Sequence, residues 1–247
     1  MSLTAEFGYY VLAGFAAQMI DGALGMAYGV TASSILIGAG VAPAAASATV
    51  HAAECVTTGA SAISHQAFGN VSRTLFRRLL LPGVIGAAVG AYILTSLPGD
   101  NLRPIIAGYL FLMGLIIVLK AFRRIPPKEV TTHLGPLAFF GAMVDAIGGG
   151  GWGPIVASNL AVRGNAMRET IGSVNAVEFF VTLSSSIVFV LTLGLTNWQI
   201  ILGLAVGGVI AAPFGAWACK KVPHKPMMVL VGALIMGMSI RTIWKSL

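Results

Sequence analysis

The stretch DGALGMAYG at residues 21–29 returns as DAIGGGGWG at residues 145–153, so Asp21, Gly25 and Gly29 recur 124 positions later as Asp145, Gly149 and Gly153. The same offset carries Val50, Ala52, Glu54, Thr58, Ser61 and Ile63 onto Val174, Ala176, Glu178, Thr182, Ser185 and Ile187. An internal duplication that keeps one Asp, one Glu and a glycine-rich run inside apolar sequence points to a doubled membrane transport unit. The repeat divides the chain into residues 1–124 and 125–247, two halves of one integral membrane domain. Four isolated acids thereby become two pairs, expected to face one another across a pseudo-two-fold axis.

Composition agrees with a membrane setting. Hydrophobic residues make up 57% of the chain and charged residues 9%, and the mean hydropathy is +0.88. Apolar stretches reach the roughly 20 residues needed to cross a bilayer. The N-terminus lacks a basic region before its first apolar stretch, so no cleavable signal peptide is expected. Cys55 and Cys219 lie in apolar surroundings without CxxC spacing and read as buried small residues, neither a disulfide nor metal ligands. The net charge of +7 does not point to nucleic acid. Every basic residue falls at a segment end or in a connection, the habit of cytoplasmic loops and headgroup contacts.

Apolar runs between charged and Pro/Gly breaks predict four segments per half: 6–37, 44–66, 75–97 and 103–121, then 134–160, 165–193, 198–219 and 225–244. Equivalent loops have opposite charge habits. Arg73, Arg77 and Arg78 follow the second segment, while Leu193 to Trp198 carries no charge. Asp100 and Arg103 follow the third, while its counterpart carries Lys220, Lys221 and Lys225. Loops of opposite habit belong on opposite faces, so the halves are expected to be inverted. Inversion needs an odd number of crossings per half, and the long, glycine-interrupted first segment is the natural one to break and re-enter. That arrangement puts 12 Lys and Arg on one face and 3 (Arg103, Arg241 and Lys245) on the other. It also puts both termini on the non-cytoplasmic face. The fold class expected is therefore an all-α polytopic membrane protein of two inverted repeats, each a broken first segment plus three transmembrane helices.

The second segment carries Ser47, His51, Glu54, Thr58, Ser61 and His65 at alternating steps of four and three, one face of a helix. The sixth repeats that stripe as Asn175, Glu178, Thr182 and Ser185. An ionised carboxylate near the bilayer centre costs about 2.5–3.5 kcal/mol on insertion scales. Such groups line a polar cavity or change protonation during work, although polar bridges between helices are the plainer alternative. Asp21, Glu54, Asp145 and Glu178 have no basic partner at mid-depth. They are expected to hold protons, to coordinate a cation or to face water, since low dielectric favours a neutral carboxyl. His51, one turn from Glu54, is a candidate to share a proton, whereas Asn175 takes its place in the second half. His65 is expected at the membrane interface.

Glycine tolerates positive φ and close backbone approach, so Gly25, Gly29, Gly149 and Gly153 can break a helix and expose unpaired N–H groups. Two inward half-helix N-termini would suit an anion without any Lys or Arg; close helix packing is the alternative. Tyr28 and Trp152 sit at matching positions in the breaks, as aromatic gates or as packing. The run from Gly148 to Gly153 fits GxGxxG, but without a preceding strand and a βαβ unit it carries no dinucleotide meaning.

These duplicated runs, with VHAAECVTTGASAISH at 50–65, VNAVEFFVTLSSS at 174–186 and FGNVSRTLFRRLLLPGVIGAAVGAYIL at 68–94, resemble the TauE/SafE sulfite exporter family over essentially the whole chain. The resemblance implies a bacterial inner-membrane secondary carrier for a small sulfur-containing anion such as sulfite or sulfoacetate; the loop charges then make both termini periplasmic. It implies substrate contacts near Asp21, Tyr28, His51 and Glu54 and their repeat mates. The acids themselves would repel a dianion, so proton coupling is their expected role. The runner-up is a divalent-cation permease with Asp21, Glu54, Asp145, Glu178 and His51 as ligands. Neither HExxH, GxSxG nor a P-loop occurs, so no enzyme activity and no cofactor is expected. A second copy, as a homodimer, is a candidate partner.

Overall fold

The computed structural model describes residues 3–97, 102–122, 132–157, 159–160, 166–194, 196–219, 221 and 223–246. Asp100, Arg123, Arg124, Lys128, Arg163 and Lys220, and the side chains of Arg103 and Lys245, entered the loop-charge argument and lie outside that description. The elements are α1 (Leu3–Leu24), α2 (Tyr28–Gly38), α3 (Pro43–Ala67), α4 (Arg73–Ser96), α5 (Leu102–Ala121), α6 (Leu134–Gly148), a π-helical turn (Gly153–Ala157), α7 (Met167–Leu193), α8 (Trp198–Ala218) and α9 (His224–Ser246). No strand occurs among the described residues.

Both long first segments are broken where the glycines stand. Gly25 has φ +69° and its repeat mate Gly149 has φ +70°, left-handed conformations that end α1 and α6. Beyond the first break α2 lies near α1: Ala32, Ile35 and Leu36 line one small cavity together with Tyr10, Ala13 and Ala17. Ala27 completes that turn at φ +96°, a conformation a residue with a Cβ rarely adopts.

Packing exchanges partners between the halves. The first helix of each half lies along the third helical segment of the other. A methyl on Gly207 would fall 1.9 Å from the Val11 carbonyl oxygen of α1, and one on Gly86 would fall 2.1 Å from the Phe139 oxygen of α6. In both pairs residue numbers rise together: Gly203 meets Tyr10 and Gly215 meets Gly22, while Gly86 meets Phe139 and Gly90 meets Met143. The equivalent helices α3 and α7 run oppositely, since Thr58 meets Thr182 and Ser61 meets Asn175. So do α5 and α9, with Gly114 against Met236 and Gly232 against Val118. Small residues at these seams let backbones approach as apolar solvent alone could not make them do.

Ile63 is 74% exposed and Leu191 80% exposed. Such outward apolar residues suit lipid rather than water. Four described helices are long and apolar enough to cross a membrane: Arg73–Ser96, Pro104–Ala121, Met167–Leu193 and Trp198–Ala218. The 25-residue α3 is long enough but is not among them; its polar stripe lowers its mean hydropathy. That stripe points inward, with Ser47, His51, Glu54, Thr58, Ser61 and His65 all buried. His65, in the last turn of α3, is wrapped by protein, and its Nδ1 accepts the Asn70 amide at 3.1 Å.

Most of the described basic segment ends gather at one end of the bundle, while Arg241 lies at the other, near Tyr9 and Ile200. Arg168 donates to the Gly69 carbonyl, the Ser72 N–H donates to Ser173 Oγ at 2.8 Å, and Asn70 donates to the Ala216 carbonyl. Lys225 lies over the Phe122 ring, which brings the start of α9 to the end of α5. At the opposite end Asn197 donates to Thr49 Oγ1 at 2.9 Å.

Candidate substrate and coupling site

The two helix breaks cross in direct backbone contact. A methyl on Gly29 would lie 2.8 Å from Gly150 Cα, and one on Gly153 would lie 2.4 Å from Met26 Cα. Gly150 is the repeat mate of Met26, and Gly153 that of Gly29, so the two contacts are the same contact seen from either half. Thr58 Oγ1 lies 3.4 Å from Thr182 Oγ1, a residue meeting its own repeat mate.

The acids sit on this crossing, and each Asp turns to its own break. Asp145 Oδ1 accepts the Trp152 N–H at 2.8 Å, and the Asp21 carboxyl faces the Tyr28 backbone. Glu54 reaches from α3 to the Gly29 backbone, its Oε1 3.0 Å from where a methyl on Gly29 would stand. The backbone that glycine breaks were expected to open to an anion is therefore approached here by the protein's own carboxylates.

The second interaction of each Asp crosses to the other half. Asp145 Oδ2 lies 3.0 Å from His51 Nε2. Asp21 faces the Asn175 side chain, and Asn175 is the repeat mate of His51. His51 Nδ1 donates to the Ser47 carbonyl at 2.8 Å, which fixes the proton on that nitrogen. Nε2 is thereby turned to Asp145 Oδ2, a contact that one proton on either atom makes a hydrogen bond. The first half has no ionisable counterpart to His51: its Asp faces an amide. Sequence had left Asp145 without a basic partner; His51 is that partner, supplied from 94 positions away.

Glu178, Asn175 and Thr182 line α7 as expected, all buried. Asn175 accepts the Ser61 hydroxyl at 2.7 Å. Asp21 Oδ2, Glu54 Oε2 and Glu178 Oε2 are buried without a hydrogen-bond partner. Tyr28 and Trp152 are fully buried and pack the breaks: the Trp152 indole donates to the Val174 carbonyl at 3.2 Å, and the Tyr28 hydroxyl donates to the Leu204 carbonyl at 3.4 Å. Among the described residues no three of His, Cys, Asp or Glu stand close enough to hold a metal ion, so the five-ligand cation cage is not assembled in this conformation. A cavity of 780 Å³ exists elsewhere, between α3, α4 and α7, and none of these residues lines it.

Two residues of the site went unnoticed in sequence. Tyr109 of α5 donates its hydroxyl to the Gly150 carbonyl at 2.8 Å, and Ser33 of α2 donates to the Gly149 carbonyl. Their repeat mates are Ala233 and Ala157, so duplication gave no hint of them. A lone tyrosine inside an apolar segment was the available signal.

A doubled, all-helical bundle with acids buried at two crossed helix breaks is the build of a membrane carrier. The family description "Sulfite exporter TauE/SafE" matches residues 10–242, and the chain belongs to that family. It is also 41% identical over 244 residues to the "Probable membrane transporter protein YtnM" of Bacillus subtilis (strain 168), covering 95% of this chain and 81% of that protein. No solved structure matches it. The protein is thus a multi-pass membrane transporter of this family.

Proposed function

We propose that the protein is a secondary carrier that exports a small sulfur-containing anion, sulfite, sulfoacetate or a related oxyanion, across the bacterial inner membrane by alternating access, with protons carried on its buried acids. The observation that carries this reading is the place the carboxylates take at the breaks: Asp145 holds the Trp152 N–H, and Glu54 and Asp21 crowd the backbone of the other break. A carboxylate at a half-helix N-terminus occupies the place an anionic substrate would take. Protonation weakens its hold on those N–H groups, and an incoming oxyanion can then accept them. Substrate and proton would therefore enter the site together.

The asymmetry of the halves assigns the roles. Asp145 is balanced by His51, so the titrating groups of this mechanism are Asp21, Glu54 and Glu178, each with one oxygen unpartnered. Gly25, Gly29, Gly149 and Gly153 give the substrate access to backbone, Thr58 and Thr182 offer facing hydroxyls, and Tyr28 and Trp152 close the breaks.

The two halves, 1–124 and 125–247, are read as inverted repeats rocking against one another. Opposite running of α3 against α7 and of α5 against α9 supports this, as does the parallel run of α1 with α8 and α6 with α4. With the basic end cytoplasmic, both termini are periplasmic. The test is flux in proteoliposomes over a panel of sulfur oxyanions with an imposed pH gradient. Uptake of one or more, coupled to proton movement, is expected. Flux of divalent cations with no response to any oxyanion would overturn the reading.

A further inference from the structure

The 780 Å³ cavity lies away from the acids, at the basic end of the bundle. Its walls are α3 and α4, consecutive helices splayed apart, and its floor is α7. Gly59 marks its depth, Ile63, Phe76 and Phe179 line it, and Arg73 and Arg77 stand at its mouth. Eight residues of α3 separate Gly59 from Ala67, a depth of about 12 Å at 1.5 Å per residue. One leaflet of a hydrocarbon core about 30 Å thick is little deeper.

Neither Arg73 nor Arg77 makes a hydrogen bond or ion pair among the described residues. Both are exposed, one helical turn apart, on the side facing the groove. Their repeat mates are Asn197 and Ile201. Asn197 is engaged with Thr49 instead. The paired cations thus belong to one end of the molecule only, the end where most of the other described basic residues gather.

We propose that this groove binds an anionic phospholipid of that leaflet, one acyl chain lying between α3 and α4 and its phosphate on Arg73 and Arg77. An apolar slot one leaflet deep matches the chain, and two unpaired guanidiniums at headgroup level match the phosphate. The lipid would hold α3 and α4 apart directly over α7, whose Glu178 belongs to the coupling site.

The test measures thermal unfolding of the full chain in vesicles of phosphatidylcholine alone and with phosphatidylglycerol added. The anionic lipid is expected to raise the wild-type Tm by about 4–8 °C. The Arg73→Gln/Arg77→Gln double variant should unfold like wild type in phosphatidylcholine and lose that rise, and Ala62→Phe, which fills the slot, should lose it too. Lys221→Gln/Lys225→Gln, on the same face, should keep it. An equal loss in the lysine pair would show a diffuse surface effect and overturn the site. The same rise produced by inorganic phosphate in phosphatidylcholine would replace the lipid by a free anion and equally overturn it.

Discussion

His51 and Asn175 occupy equivalent positions and hold opposite Asp residues, yet only His51 can carry charge. Removing one member of a buried pair costs about 3–5 kcal/mol, because the other is left uncompensated. His51→Ala should therefore sharply lower the thermal stability of the detergent-solubilised protein. His51→Asn should recover most of the loss, since an amide already serves Asp21 in the other half; equal damage from both variants would show that the cation itself is required. Glu54→Gln and Glu178→Gln should fold normally but flatten the pH dependence of transport, and unchanged pH profiles in both would remove them as proton carriers. The candidate residues were legible because duplication singled them out. Their pairing was not. A repeat reveals which residues are equivalent, but not that Asp145 reaches into the first half for His51 while Asp21 reaches into the second for Asn175.

At the scale of elements, the helix breaks were readable from glycine alone, and the chain does turn at Gly25 and Gly149 with nearly identical dihedrals. What sequence could not supply was the distance between the breaks, set by packing of four helices from both halves. Left-handed backbone costs a residue with a Cβ about 1–2 kcal/mol, and at Gly25 the new Cβ would also press Ile171 at 3.2 Å. Gly25→Val and Gly149→Val should abolish substrate binding measured on purified protein; retained affinity would argue against an open-backbone site. The seam between α4 and α6 gives a stability counterpart. Gly86→Ala should destabilise by about 1–3 kcal/mol through overpacking against Phe139. Gly8→Ala, where nothing lies within 4 Å, should leave Tm unchanged. Comparable melting of both variants would contradict the close seam.

For the whole molecule, the proposed topology puts the basic connections on the cytoplasmic face. A cysteine introduced before Phe7 should be labelled by an impermeant maleimide from outside intact cells, and one beside Arg77 only after permeabilisation. Reversed labelling would turn the bundle over. Because Thr58 lies against Thr182, its own counterpart, each half presents to the other a surface equivalent to the one it receives. Two polypeptides, one ending after Phe122 and the other starting at Thr132, should consequently find each other when co-expressed and rebuild the carrier. A protein of half this length, pairing with a copy of itself, would have had the same threonine on both sides of its seam, and every inherited change there would have been felt twice until fusion let the two copies diverge into His51 and Asn175.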